Sequence, residues 1–142
     1  MNTVFTYGLR YKYPHMKPAD VKIWESFIKN NPDAYDTVIY DLCVGSPPSF
    51  DSKFDAVSTA NAVDLYKKKI DVVGFKGNTV DIIELKPNAG AGALGQVLGY
   101  VILYKRDISD APTPRPVLIT DSITLDMEEL ALKLGVRLIV AP

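Results

Sequence analysis

Two acidic residues and a lysine, Asp71, Glu84 and Lys86, fall where a β-hairpin would gather their side chains. The runs Lys69–Phe75 and Thr79–Lys86 are rich in β-branched residues and flank Gly77-Asn78, a pair that tolerates the positive φ of a two-residue hairpin loop. With that loop Lys76 pairs with Thr79, and counting back along both strands sets Asp71 opposite Glu84. A symmetric four-residue loop gives the same register. Opposed residues on one face have Cβ atoms roughly 4.5–5.5 Å apart, where like charges destabilise each other. Alternation then puts Lys86 on the face of Glu84 and Asp81 on the other. Two readings fit this pattern. A hard divalent cation with oxygen ligands, Mg²⁺ or Mn²⁺, would resolve the repulsion. Alternatively, Glu84 simply pairs with Lys86 on an exposed hairpin edge.

Further on, Gln96 and Tyr100 stand four residues apart in Gln-Val-Leu-Gly-Tyr, stacked on one face of an expected helix. The order Asp71, then Glu84-Leu85-Lys86, then a helix carrying Gln-x-x-x-Tyr resembles the PD-(D/E)xK nuclease superfamily, which has the restriction-endonuclease-like fold. The Gln/Tyr spacing looks like that of its exonuclease branch. The resemblance covers Asp71 to Tyr100 by motif and the rest of the chain by element order alone, and Ile70 stands where the family pattern often has proline. It implies a Mg²⁺ or Mn²⁺ ion held by Asp71, Glu84 and the backbone carbonyl of Leu85. Lys86 would then position or deprotonate the attacking water, Gln96 would position the nucleophile or scissile phosphate, and Tyr100 would contact a phosphate or base. Some members add an acidic ligand from the first helix, where Glu25 is the best-placed candidate. Each of these residues also has a plainer reading: a strand-end lysine, a surface glutamate on a helix, a structural Gln/Tyr pair.

The lysine run Lys67-Lys68-Lys69 precedes Asp71, and the same register sets Lys69 opposite Lys86. Lys68 and Lys69 would place positive charge where a phosphate backbone must pass. Gly92, Gly95 and Gly99 on the Gln/Tyr helix cost propensity of about 1 kcal/mol each. Close backbone approach to the sheet or to a partner would offset that cost.

Composition bounds the alternatives. The chain has 142 residues, 47% of them hydrophobic and 23% charged, which suits one globular domain spanning 1–142. A net charge of −1 lacks the basic excess of a dedicated non-specific DNA binder, so any DNA contact comes from a local patch. The N-terminus has no basic-then-apolar leader layout, and the apolar stretch Val97–Tyr104 is far too short to span a bilayer. One cysteine excludes an internal disulfide framework, which fits a reducing cytoplasm, that of a host if the protein is viral. With one histidine, His15, multi-histidine zinc sites are ruled out and the remaining metal chemistry must use carboxylates. Cys43 sits in an apolar run and is expected to pack in the core.

The elements that must position these residues are legible in outline. Residues 1–16 read as an extended arm with Phe5, Tyr7, Tyr11 and Tyr13 interleaved with Arg10 and Lys12, packing its aromatics on the core or on a partner subunit, with contact to nucleic acid as the alternative. Pro18-Ala-Asp20 opens a helix to about Asn30, with Asp20 complementing the dipole and a stripe of Ile23, Trp24, Phe27 and Ile28. Thr37–Val44 is a strand, residues 45–51 a proline-bearing loop, and 52–64 either loop or short helix. After the hairpin come a helix over Ala93–Arg106, a strand over Val117–Thr120, a helix over Leu125–Leu134 closed by Gly135, and a strand over Val136–Val140. The order α-β-β-β-α-β-α-β predicts an α/β fold, a mixed sheet sandwiched by helices. The expected function is a metal-dependent deoxyribonuclease, structure-selective or weakly sequence-specific, in repair, recombination, a phage or a mobile element. DNA is the expected partner, RNA is open to the same chemistry, no membrane is involved, and a homo-oligomer is compatible with the arm. The rival is a non-catalytic assembly subunit on the same fold.

Overall fold

The computed structural model describes residues 2–45, 68–108 and 112–142; the loop after Gly45 and the 52–64 stretch lie outside the described residues. Strand β1 (Val4–Thr6) is followed by helix α1 (Pro18–Asn30), strands β2 (Thr37–Val44), β3 (Lys68–Lys76) and β4 (Thr79–Leu85), helix α2 (Ala91–Asp107), strand β5 (Arg115–Thr120), helix α3 (Leu125–Leu134) and strand β6 (Arg137–Val140). They form one sheet in the order β1-β2-β3-β4-β5-β6. The first four strands are an antiparallel meander, and β5 and β6 join in parallel after helical crossovers. No described helix is long and apolar enough to cross a membrane.

Each sheet face owns a core. Helix α1 buries Ile23, Trp24, Phe27 and Ile28 against Val38, Tyr40, Val72, Ile83, Leu85, Val117 and Ile119. Helices α2 and α3 cover the other face, over Leu42, Val44, Ile70, Val73, Val80, Ile82 and Leu118. Covered on both sides, β4 is buried at every position after Thr79, so it shows no polar alternation. Pro18 and the acidic Asp20 open α1 as expected, and Gly135 closes α3 at φ 70°, a conformation glycine adopts at little cost.

The N-terminal arm packs on the core of its own chain. Tyr7 and Tyr13 are buried, Tyr7 Oη donates to the Asn31 carbonyl at 2.6 Å, and Tyr13 Oη donates to Glu25 at 3.0 Å. Residues Val4–Thr6 add an edge strand to β2, an element that the sequence pattern showed only as extended chain.

Strand alternation breaks once, and the break shapes everything that follows. Val38 and Tyr40 face α1, whereas Leu42 and Val44 face α2. On the neighbouring strand Val72 faces α1, whereas Ile70 faces α2. Strict period-two alternation would keep each set on one side. The change falls at Asp41 in β2 and at Asp71 in β3, which stand opposite each other between the pairs Tyr40↔Val72 and Leu42↔Ile70. Asp41 has φ 56°. One consequence corrects the expectation for Cys43: with Leu42 and Val44 turned inward, Cys43 is exposed rather than packed in the core.

At the far end of the sheet, buried Asp81 accepts from Tyr35 Oη at 2.7 Å and from Arg115 Nε and Nη2 at 2.6 and 3.1 Å. Gly74, opposite Asp81, makes room for the Tyr35 ring, since a Cβ there would lie 2.6 Å from ring carbons. Gly74→Ala should therefore cost about 1–3 kcal/mol through overpacking, read as a lowered denaturation midpoint with unchanged slope. No loss would mean that Tyr35 moves aside freely.

Candidate active site

The hairpin has the expected register, Lys76↔Thr79, which runs on to Val72↔Ile83 and stops there. Beyond that pair β3 stays with β2, through Ile70↔Leu42 and Lys69↔Cys43, and leaves β4. Asp71 sits at the fork. Its Oδ2 accepts from the Leu85 N–H at 2.8 Å, so a side chain takes over the β4 donor that the departing strand would have bonded. This satisfies a backbone group that would otherwise be orphaned. It also brings the Asp71 carboxyl beside that of Glu84, close enough for each to shift the titration of the other.

Glu84 is only 5% exposed, and its Oε2 is buried with no hydrogen-bond partner among the described residues. Buried polar oxygens are seldom left so, and each such case asks for an explanation. Burial is the largest cause lifting the Glu84 carboxyl above its ordinary range, followed by the charge of Asp71 and then Asp20, while Lys86 pulls it down. Asp71 is also raised, first by burial, then by Asp20 and Asp41, against the lowering effect of the Leu85 N–H. The two titrate as a pair in which the ionised forms are penalised.

Three further elements reach this end of the sheet. Lys86 follows β4, exposed, with its N–H anchored to the Ile119 carbonyl at 3.0 Å. From α2, Gln96 Nε2 donates to Tyr100 Oη at 2.7 Å. The buried Tyr100 hydroxyl is raised by burial and by the charges of Glu84 and Asp71, against the lowering effect of Gln96. A cavity of about 480 Å³ runs beside this pair, lined by Lys68, Gly95, Gln96, Gly99, Tyr100 and Leu103 among others. The first turn of α1 brings Asp20, raised by burial and lowered by Lys17 and Lys86.

The structure thus gathers Asp71, Glu84, Leu85, Lys86, Gln96, Tyr100 and Lys68 at one end of the sheet. It does not bring Glu25 there. That side chain takes the Tyr13 hydroxyl at 3.0 Å, and Asp20 is the α1 carboxylate in the field of the acidic pair. The reason is orientation: α1 presents its N-terminal turn to the fork, so a residue further along the helix is carried away from it. Lys69 does not lie opposite Lys86 either, because β3 has already left β4; it pairs in register with Cys43 and lies 3.7 Å from Asp41. Among the described residues Gly92, Gly95 and Gly99 make no close approach, since a Cβ at any of them would meet no atom within 4 Å outside its chain neighbours and its own helix backbone. No three Asp, Glu, His or Cys side chains converge as a metal-ligand group among the described residues.

No protein-family profile matches the sequence, and no curated protein matches it. Solved structures do. A repair endonuclease from Pyrococcus abyssi matches at TM-score 0.52 and 16% identity, over 92% of this chain and 50% of that one. A protein of unknown function matches at TM-score 0.53 and 11% identity, over 82% of this chain and 56% of that one. The chain spans about half the length of the structures it matches. At such identities the likeness concerns the fold, and a six-stranded mixed sheet between helical layers, matched to that endonuclease, is the restriction-endonuclease-like fold.

Proposed function

We propose that this chain is a metal-dependent nuclease that hydrolyses DNA phosphodiester bonds at the fork between β3 and β4. The observation that carries the reading is the buried Asp71–Glu84 pair with its partnerless Glu84 oxygen. Two carboxylates driven together at a burial cost are what a divalent cation would stabilise, and the restriction-endonuclease-like fold makes phosphoryl chemistry the natural use of one. Asp71, Glu84 and the Leu85 carbonyl would hold Mg²⁺ or Mn²⁺, and a two-carboxylate set suits Mg²⁺, which keeps several waters and takes the rest of its shell from substrate phosphate. Such an ion supplies Lewis-acid polarisation of the phosphoryl oxygens and makes a coordinated water more acidic.

The remaining work falls to the chain itself. Lys86 orients the attacking water and offsets negative charge as it develops on the phosphoryl oxygens. Gln96, aligned by its bond to Tyr100, presents its amide towards the nucleophile or scissile phosphate. Lys68, which lines the cavity beside Gln96 and Tyr100, offers positive charge to a passing phosphate backbone. Asp20 adds negative charge at the rim, where it tightens cation binding.

The purified protein should nick or degrade DNA with Mn²⁺ or Mg²⁺ and stop when a chelator is added, tested on single-stranded, linear duplex and supercoiled forms. No cleavage of any form would defeat the reading. Cleavage of RNA alone would keep the chemistry and change the substrate.

A further inference from the structure

We propose that Asp41 is a positioning residue for the acidic site: its left-handed backbone turns β2 over where β3 must leave β4, and so holds the Asp71 carboxyl on the Leu85 amide and against Glu84. The inference deepens the nuclease reading and rests on it only for what the site binds.

Asp41 is the one residue in β2 with a positive φ, 56°. It stands inside an otherwise apolar strand, Thr-Val-Ile-Tyr-Asp-Leu-Cys-Val. Left-handed backbone is costly for most L-residues, and among non-glycine residues aspartate and asparagine bear it best. Strain of this kind persists where the surroundings enforce it and concentrates at working sites.

Here the strain has a visible effect. Side chains before Asp41 face α1 and those after it face α2, and β3 makes the same change at Asp71. The β2–β3 ladder keeps its register across the change, from Tyr40↔Val72 to Leu42↔Ile70, so the two strands turn over together. The β3–β4 ladder ends at that level, after Val72↔Ile83. A β3 strand that turns with β2 cannot also continue its flat pairing with β4, and the fork follows. Asp71, at the turning point, then reaches Leu85 N–H at 2.8 Å. Without the turn, Asp71 would stand as a ladder residue and Leu85 would bond to strand backbone. The Asp41 carboxylate has a separate, weaker engagement, 3.7 Å from Lys69 Nζ with that lysine half exposed, which a backbone role does not need.

Amide hydrogen exchange at Leu85 reads the fork directly, and Mn²⁺ titration reads the site. Asp41→Gly and Asp41→Asn, which tolerate the left-handed backbone, should keep Leu85 protection within about threefold of wild type. Asp41→Val should lower it by about tenfold or more, with weakened Mn²⁺ binding, while Val73 and Ile82 amides in the adjoining ladder keep their protection. Should Asp41→Val not fold, Asp41→Ala makes the same comparison. Lys69→Ala should leave Leu85 unchanged. The proposal is overturned if Asp41→Gly loses as much as Asp41→Val, if Asp41→Val or its alanine substitute loses nothing, or if Lys69→Ala reproduces the loss. A wild type that binds no Mn²⁺ yet shows this exchange pattern would defeat the nuclease reading and leave the positioning role standing.

Discussion

Lys86→Ala should remove about two to three orders of magnitude of DNA cleavage, the usual scale for deleting one charge-stabilising or proton-handling group. It should leave the Mn²⁺-induced rise in melting temperature largely intact. The two readouts separate because Lys86 lies beside the acidic pair without being one of its ligands. Its exposed side chain acts on Glu84 and Asp20 through charge alone, and its backbone stays tied to Ile119 whatever the side chain. Removing a cation next to two carboxylates should, if anything, tighten metal binding slightly. Glu84→Gln should abolish both cleavage and the metal response, because it deletes the oxygen that has no other partner. Equal cleavage by wild type and Lys86→Ala would assign the activity to a contaminant and sink the role of Lys86. Loss of cleavage together with loss of metal stabilisation would make Lys86 a structural support of the pair instead.

Much of the site could be read from turn chemistry and strand period, because those rules are local. Gly77-Asn78 set the hairpin register that the structure shows, and alternation placed Asp81 away from Glu84, where it binds Tyr35 and Arg115. Local rules failed where tertiary geometry overrode them. The register count assumes strands that stay paired to their ends, so it set Lys69 opposite Lys86, whereas β3 leaves β4 after Val72; the apolar run placed Cys43 in the core, whereas the change of face at Asp41 leaves it exposed. The only sequence signal for that turn was an aspartate interrupting an apolar run.

Glu25 and Asp20 show a different limit. Both lie on α1, and helical periodicity says which side of the helix each occupies, not which end of the helix meets the sheet edge. Asp20 had a sufficient local explanation in the helix dipole, which masked its nearness to the acidic pair. The glycines of α2 had the opposite fate. Their cost suggested a close neighbour, yet among the described residues no atom outside their own helix backbone and chain neighbours lies within 4 Å of a Cβ placed on them.

The metal-free protein should lose stability as pH rises, and Mn²⁺ should reverse the trend. In the folded chain both carboxyls of the Asp71–Glu84 pair are raised above their ordinary values, burial being the largest cause for each. The folded state therefore holds protons that the unfolded chain has already released. For groups shifted this way, the stabilisation is complete below the unfolded pKa values, about 4 for such carboxylates, and is lost as pH climbs through the folded ones. The window opens in the mildly acidic range and extends through neutrality, and for a pair this buried the change is on the order of a few kcal/mol. Asp20, raised as well, contributes with the same sign. The lowered Asp36 and Asp107 contribute with the opposite sign, but at more acidic pH. Comparison with Asp71→Asn/Glu84→Gln isolates the pair, since the double variant should show a flatter melting profile and be the more stable protein at alkaline pH. A cation competes with the shared proton, so the Mn²⁺-induced rise in melting temperature should grow from pH 6 to pH 8 in wild type and vanish in the double variant. Identical pH profiles for wild type and double variant would show that the two carboxyls are solvated independently, and the case for a cation at the fork would fall with them.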